Sequence, residues 1–151
     1  KDDNVMALNN YACYLSEKGV DLHKAESMSY KTIKAEPNNG TYLDTYAWIL
    51  FMEERYADAK TYIDQALKNR DSTADNSTVL EHAGDIYYMN GMTDESVDFW
   101  KKAYTGENQT EVLAWKIKNR QYITGEELKK RNASKQKPAA TKKSVRKGKK
   151  K

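Results

Sequence analysis

The side chains best able to do chemistry are few: one cysteine, Cys13, and two histidines, His23 and His82. A single thiol closes no disulfide within the chain and excludes zinc sites built from several Cys ligands. Cys13 follows Ala12 in a helix-like apolar stretch, where a thiol packs as a small hydrophobe. His82 follows Glu81 with no second ligand one helical turn on, so it is expected to be helix-packed or solvated. There is no Gly-rich phosphate loop, no His-Glu-x-x-His pair and no Gly-x-Ser-x-Gly elbow. Carboxylates are numerous, but helical spacing puts them on solvent faces. The residues nominate no catalytic group, no metal site and no cofactor, and we expect a non-enzymatic protein.

The elements that position these residues repeat. Leu8-x-x-Tyr11-Ala12-x-x-Leu15 returns as Leu43-x-x-Tyr46-Ala47-x-x-Leu50 and as Leu80-x-x-Ala83-Gly84-x-x-Tyr87, at intervals of 35 and then 37 residues. Behind each lies a second apolar stretch: residues 25–33, then Ala59-x-x-x-Ile63-x-x-Ala66-Leu67, then Ser96-x-x-x-Trp100-x-x-Ala103-Tyr104. Apolar spacings of three and four put one stripe on each helix, and a small residue lets the partner helix approach the backbone. Turns are marked by Lys18-Gly19, Glu54-Arg55 and Asn90-Gly91, and breaks between units by Pro37-Asn38-Asn39-Gly40 and residues 71–77. We expect an all-α solenoid of three helix-turn-helix repeats at about 4–37, 41–71 and 77–106. A capping helix over about 110–123 carries Val112, Leu113, Trp115 and Ile117 and covers the last stacking face.

Length and charge agree with this division. At 151 residues, 38% hydrophobic and 32% charged, the chain supports one domain with a thin core. Residues 1–125 carry 14 Lys/Arg against 20 Asp/Glu, a net −6, whereas residues 126–151 carry 12 against 2, a net +10. The folding part is acidic, and the tail from 126 is expected to be disordered beyond about 131. No apolar run is long enough for a transmembrane segment. The opening Lys1-Asp2-Asp3-Asn4 is neither a signal peptide nor a start methionine, so the chain is expected to be a fragment of something longer, with a stacking surface exposed near Val5, Met6 and Leu8.

The period, the small-residue positions and Pro37 after Ala35-Glu36 resemble the tetratricopeptide repeat (TPR). The second repeat, Thr41-Tyr42-Leu43-Asp44-Thr45-Tyr46-Ala47-Trp48 with Arg55-Tyr56-Ala57-Asp58-Ala59, is the closest match and resembles the C-terminal repeats of bacterial envelope TPR proteins. Ser29, Thr32 and Ser96 stand where the family usually has a bulky residue or Ala. The resemblance implies a right-handed solenoid whose concave groove is built by the first helix of each pair. It also tilts the expected location to the bacterial periplasm or envelope, although one Cys is equally compatible with the cytoplasm.

Stepping from the small anchors by helical geometry places Asn9, Cys13 and Glu17, then Asp44, Trp48, Phe51 and Met52, then Glu81, Asp85, Tyr88 and Met89 on the groove face. The set is acidic with an aromatic and Met centre. The TPR subgroup that clamps a partner's C-terminal carboxylate needs Lys or Arg there; these positions supply none, and Asn9 alone resembles it. An extended, apolar or basic protein or peptide partner therefore fits better than an acidic tail. The competing reading of Trp48 and Phe51 is that they pack between neighbouring helices. The expected function is a protein-binding scaffold or adaptor, with oligomeric state open. The alternative is polyanion tethering, to nucleic acid, ribosome or anionic membrane, through the Lys-rich tail. Nucleic acid is expected only through that tail, since no aromatic beyond Tyr122 is available to stack on bases.

Overall fold

The computed structural model describes residues 2–135, without Ser72, Glu107 and the side chains of Asp2 and Asp3. Seven helices follow in order: α1 (Asp2–Lys18), α2 (Leu22–Ala35), α3 (Gly40–Met52), α4 (Tyr56–Lys68), α5 (Ser77–Met89), α6 (Thr93–Ala103) and α7 (Glu111–Asn119). α1 packs on α2, α3 on α4 and α5 on α6, each pair leans on the next through α2–α3 and α4–α5, and α7 packs on α6. The described residues contain no strand, and no helix among them is long and apolar enough to cross a membrane.

All three turns within pairs share one chemistry. Gly19, Glu54 and Gly91 have left-handed backbones, with φ of 69°, 63° and 80°. In each turn that residue's N–H donates to the carbonyl three residues back, and the next N–H donates five back: Gly19 to Ser16 and Val20 to Leu15, Glu54 to Phe51 and Arg55 to Leu50, Gly91 to Tyr88 and Met92 to Tyr87. This is the Schellman arrangement, which satisfies carbonyls left open at a helix end. Side-chain caps start α3 and α7, whereas α5 begins without one. Asn39 Oδ1 accepts the Tyr42 N–H at 3.1 Å, and Thr110 Oγ1 accepts the Leu113 N–H at 3.2 Å.

The small anchors do what their spacing implies. Ala12, Ala47, Ala25 and Ala59 are wholly buried where helices cross. The third repeat uses a different size pairing: a Cβ on Gly84 would collide with the indole of Trp100, itself wholly buried. Trp100 holds the position that Ile63 holds in the second repeat and Ser29 in the first. Ser29 is buried with its hydroxyl unpaired, so the first repeat is filled least well. Ser96, by contrast, donates to the Thr93 carbonyl at 2.8 Å and sits in the core without cost. On α1, Met6, Tyr11 and Tyr14 stand 55%, 43% and 54% exposed, whereas Tyr46 and Ile49, one repeat on from Tyr11 and Tyr14, are buried. Val5 and Leu8 are half-buried.

The C-terminal end departs from expectation in two respects. The capping helix stops at Asn119, because Arg120 turns left-handed at φ 53°, rather than running to 123. A second compact unit begins at Tyr122. Within it, residues 125–135 are helical, a few residues past the expected onset of disorder at about 131. The physical reason is a capping box: Thr124 Oγ1 accepts the Glu127 N–H at 3.1 Å while Glu127 Oε1 accepts the Thr124 N–H at 3.3 Å, just ahead of buried Leu128. The Lys-rich stretch 136–151, on which the polyanion-tethering alternative rests, lies outside the described residues.

Candidate functional site

The first helices of the three pairs, α1, α3 and α5, line a groove of about 730 Å³, with residues of the α4–α5 connection also on its wall. α1 contributes Asn9, Asn10, Cys13, Tyr14, Ser16 and Glu17; α3 contributes Thr41, Asp44, Thr45 and Trp48; α5 contributes Thr78, Val79 and His82. Asn69, Arg70, Asp71, Ala74, Asp75 and Asn76 complete the wall from the connection, and Asn38 and Asn39 from the turn before α3. Asp71 and Asp75 are held below the ordinary carboxylate range, Asp71 by the hydroxyl and N–H of Thr73 and Asp75 by the N–H and hydroxyl of Ser77.

Of the expected groove residues, the fold brings Asn9, Cys13, Glu17, Asp44 and Trp48 together on this wall. Phe51, Met52, Glu81, Asp85, Tyr88 and Met89 are not on it. Phe51 is buried and meets Tyr56 edge-on at 5.4 Å, so it packs between helices. Met52 reaches toward the Gly19 turn, Tyr88 tilts against Trp100 at 6.0 Å, and Met89 is exposed. Trp48 belongs to both readings. It lines the groove, yet it stacks on His82 at 4.1 Å and on Phe51 at 4.6 Å, so its ring is part of a packed wall.

Glu81 and Asp85 are not on the groove wall because Lys116 of α7 holds them, and bonds of this kind tie α5 to α3 as well as α7 to α5. Asp44 on α3 lies 2.8 Å from His82 Nδ1 on α5. Thirty-seven residues on from Asp44, Glu81 on α5 accepts from Lys116 on α7 at 3.0 Å. Lys116 also donates to Asp85 Oδ1 at 2.8 Å, and the same oxygen accepts from Trp100 Nε1 at 3.0 Å. Lys116 is 3% exposed; burial would lower its pKa, but Asp85 and Glu81 outweigh this and hold it charged. α7 is thus fastened over the face of α5 that the simple repeat pattern assigns to the groove. In the first repeat the corresponding residue, Asn9, has a buried Oδ1 with no hydrogen-bond partner.

Neither Cys13 nor His82 is arranged for nucleophilic chemistry. Burial, then Glu17 and Asp44, push the Cys13 thiol up to about 11, so it stays protonated. Burial pulls the His82 pKa down, but Asp44, with Asp85 and Glu81 behind it, outweighs that and raises it above its ordinary value. Among the described residues, His23, Glu26 and Glu53 also have ligand-like spacing, with atoms within 4.8 Å of one another. Arg55 bonds Glu26 at 2.9 Å and Glu53 at 3.4 Å, so a guanidinium already fills the cation's place.

No family model matches the chain. A TPR repeat-containing protein of Pseudomonas aeruginosa is 33% identical over 66 residues, 44% of this chain, and the chain spans 11% of that relative's length. Among solved structures, the first TPR of Spaghetti (RPAP3), bound to the HSP90 peptide SRMEEVD, matches with a TM-score of 0.68 at 12% identity. That match covers 80% of this chain and 92% of the Spaghetti domain. The fold is that of a TPR solenoid. The N-terminal domain of stress-induced protein-1 from C. elegans matches the TPR solenoid at 0.59 with 20% identity over 78% of this chain and 94% of its own. The TPR2AB domain of yeast Sti1, in complex with pHSP90, matches at 0.62 with 20% identity over 89% of this chain and 51% of its own.

Sequence reasoning missed the polar members of the TPR groove: Asn10, Ser16, Thr41, Thr45, Thr78, His82 and the α4–α5 connection. Thr41, Thr45 and Thr78 carry no chemical signature of their own. Their signal is positional: Thr41 and Thr78 stand 37 residues apart, as Thr45 and His82 do.

Proposed function

We propose that this TPR solenoid is a non-enzymatic interaction module that scaffolds a protein partner by holding an extended segment of it in the α1–α3–α5 groove. The observation that carries the reading is the groove itself: an open volume of about 730 Å³, within the range of ligand pockets, walled by three helices of a rigid stack. Its wall is rich in hydroxyl, amide and carboxyl groups, which suits an extended chain whose backbone N–H and C=O groups need partners. The Spaghetti domain and the yeast Sti1 complex support it, since both share the fold and both were solved with an HSP90 ligand. No groove residue is asked to react; binding is the whole of the function.

Selection of random-sequence peptides displayed on phage, with the full chain as target, tests this. Thr41 and Thr78 are exposed on the groove wall, so Thr41→Trp and Thr78→Trp fill the groove without touching the core. Selected peptides are expected to lose about tenfold or more in affinity to either variant, at unchanged helicity. Peptides indifferent to both changes, or no selectable peptide, would contradict the proposal.

A further inference from the structure

We infer that the segment held in the groove offers it a Lys or Arg side chain, so that the partner is a basic one. The inference rests on the peptide-groove reading above and adds the chemistry of the occupant. Two independent observations carry it. The first is charge: among the described residues Glu17, Asp44, Asp71 and Asp75 line the groove against the single guanidinium of Arg70. An acidic segment docking there would bring like charges together, and a basic one would meet opposite charge.

The second observation is Asn9. It is 5% exposed, lines the groove, and its Oδ1 is removed from water with no hydrogen-bond partner. An acceptor in that state is unfavourable until a donor reaches it. The equivalent acceptors one and two repeats on, Asp44 and Glu81, have donors from His82 and Lys116; the first repeat has neither an imidazole nor an ammonium to supply one. Asn9 and Glu17 lie on one stripe of α1, separated by Cys13, whose thiol feels both Glu17 and Asp44. The acceptors at this end, Asn9 Oδ1 and the Glu17 carboxylate, meet no cationic donor from the described residues of the chain itself. Arg brings five N–H donors and Lys three, and neither brings an acceptor.

The peptides selected above, measured on the full chain, decide the matter, with SRMEEVD as the acidic probe. Peptides that lose binding to Thr78→Trp are expected to be enriched in Lys and Arg, and SRMEEVD is expected to bind at least tenfold more weakly than they do. Asp44→Asn and Glu17→Gln should each weaken a basic peptide about tenfold. Asp98→Asn, which removes the same charge from an exposed site on α6, should change it less than twofold. Groove-dependent peptides without Lys or Arg would overturn the inference while leaving the groove reading intact. So would an equal loss on Asp98→Asn, which would reduce the preference to net charge. Failure to select any groove-dependent peptide would overturn both.

Discussion

His82 Nδ1 lies 2.8 Å from Asp44 Oδ1, which ties α5 to α3 at the groove wall. With a proton on Nδ1 the imidazole donates to the carboxylate, and the Trp48 ring at 4.1 Å backs it. The pair is one of a series down the stack, with Glu81 and Lys116 as the next. It also gives the fold a pH dependence. Because the folded pKa of His82 is raised, the stabilisation from its charge is fully present below the unfolded value of about 6.5 and is lost as pH rises through the folded value. Urea midpoints of the native chain should therefore fall relative to those of His82→Gln as pH is raised through that window. Parallel profiles for the two chains would contradict the assignment.

Lys116 is the fastener of α7. Lys116→Met leaves Asp85 buried without its cation and should cost about 3 kcal/mol or more in unfolding free energy. Adding Asp85→Asn removes the stranded charge while keeping an acceptor for Trp100, so the double variant should regain part of that loss. Denaturant titration of the single and double variants reads the coupling directly, and additive losses would show that the two residues do not act as a pair.

Gly84 and Trp100 are a size match. Gly84→Ala drives a Cβ into the indole and should destabilise by about 1–3 kcal/mol through overpacking. Trp100→Ile on that background reproduces the Ala47 and Ile63 combination of the second repeat and should recover stability, at the cost of the indole bond to Asp85. Thermal unfolding of the three variants orders them, and a Gly84→Ala chain as stable as the native one would refute the packing argument.

Glu54 holds a left-handed backbone where the other two turns have glycine. Because its side chain is exposed, Glu54→Gly removes the Cβ strain and little else. It should stabilise by about 0.5–1 kcal/mol, net of the entropy that glycine adds to the unfolded chain. A fall in the denaturation midpoint would mean that the Glu54 side chain makes a compensating contact.

The repeat architecture was legible because it is written in size and spacing. Ala12, Ala47 and Gly84 mark the close approaches, and Gly19 and Gly91 mark two of the three turns. The groove was legible only in part. Stepping along each first helix leads to Asn9, Cys13, Asp44 and Trp48, which line the α1–α3–α5 groove. Glu81 and Asp85 were misplaced because that stepping treats every repeat alike, whereas α7 covers the third repeat's face through Lys116. Phe51 was misplaced because an aromatic at that spacing suits a helix contact as well as a groove. The α4–α5 connection left no periodic trace, and its part in the groove follows from where the fold carries it. The helix at 125–135 had a signal, Thr124 followed by Glu127, which the surrounding charge outweighed.

The central claim, that the α1–α3–α5 groove holds a peptide segment of a partner, is tested most directly by titrating a selected peptide into the isotopically labelled full chain and following the backbone amide resonances. The account predicts that the largest shifts fall on Asn9, Cys13, Asp44, Thr78 and His82. Shifts concentrated instead on Tyr30 and Lys34 of α2, or on Lys60 and Asp64 of α4, would place the binding surface on the second helices and contradict it.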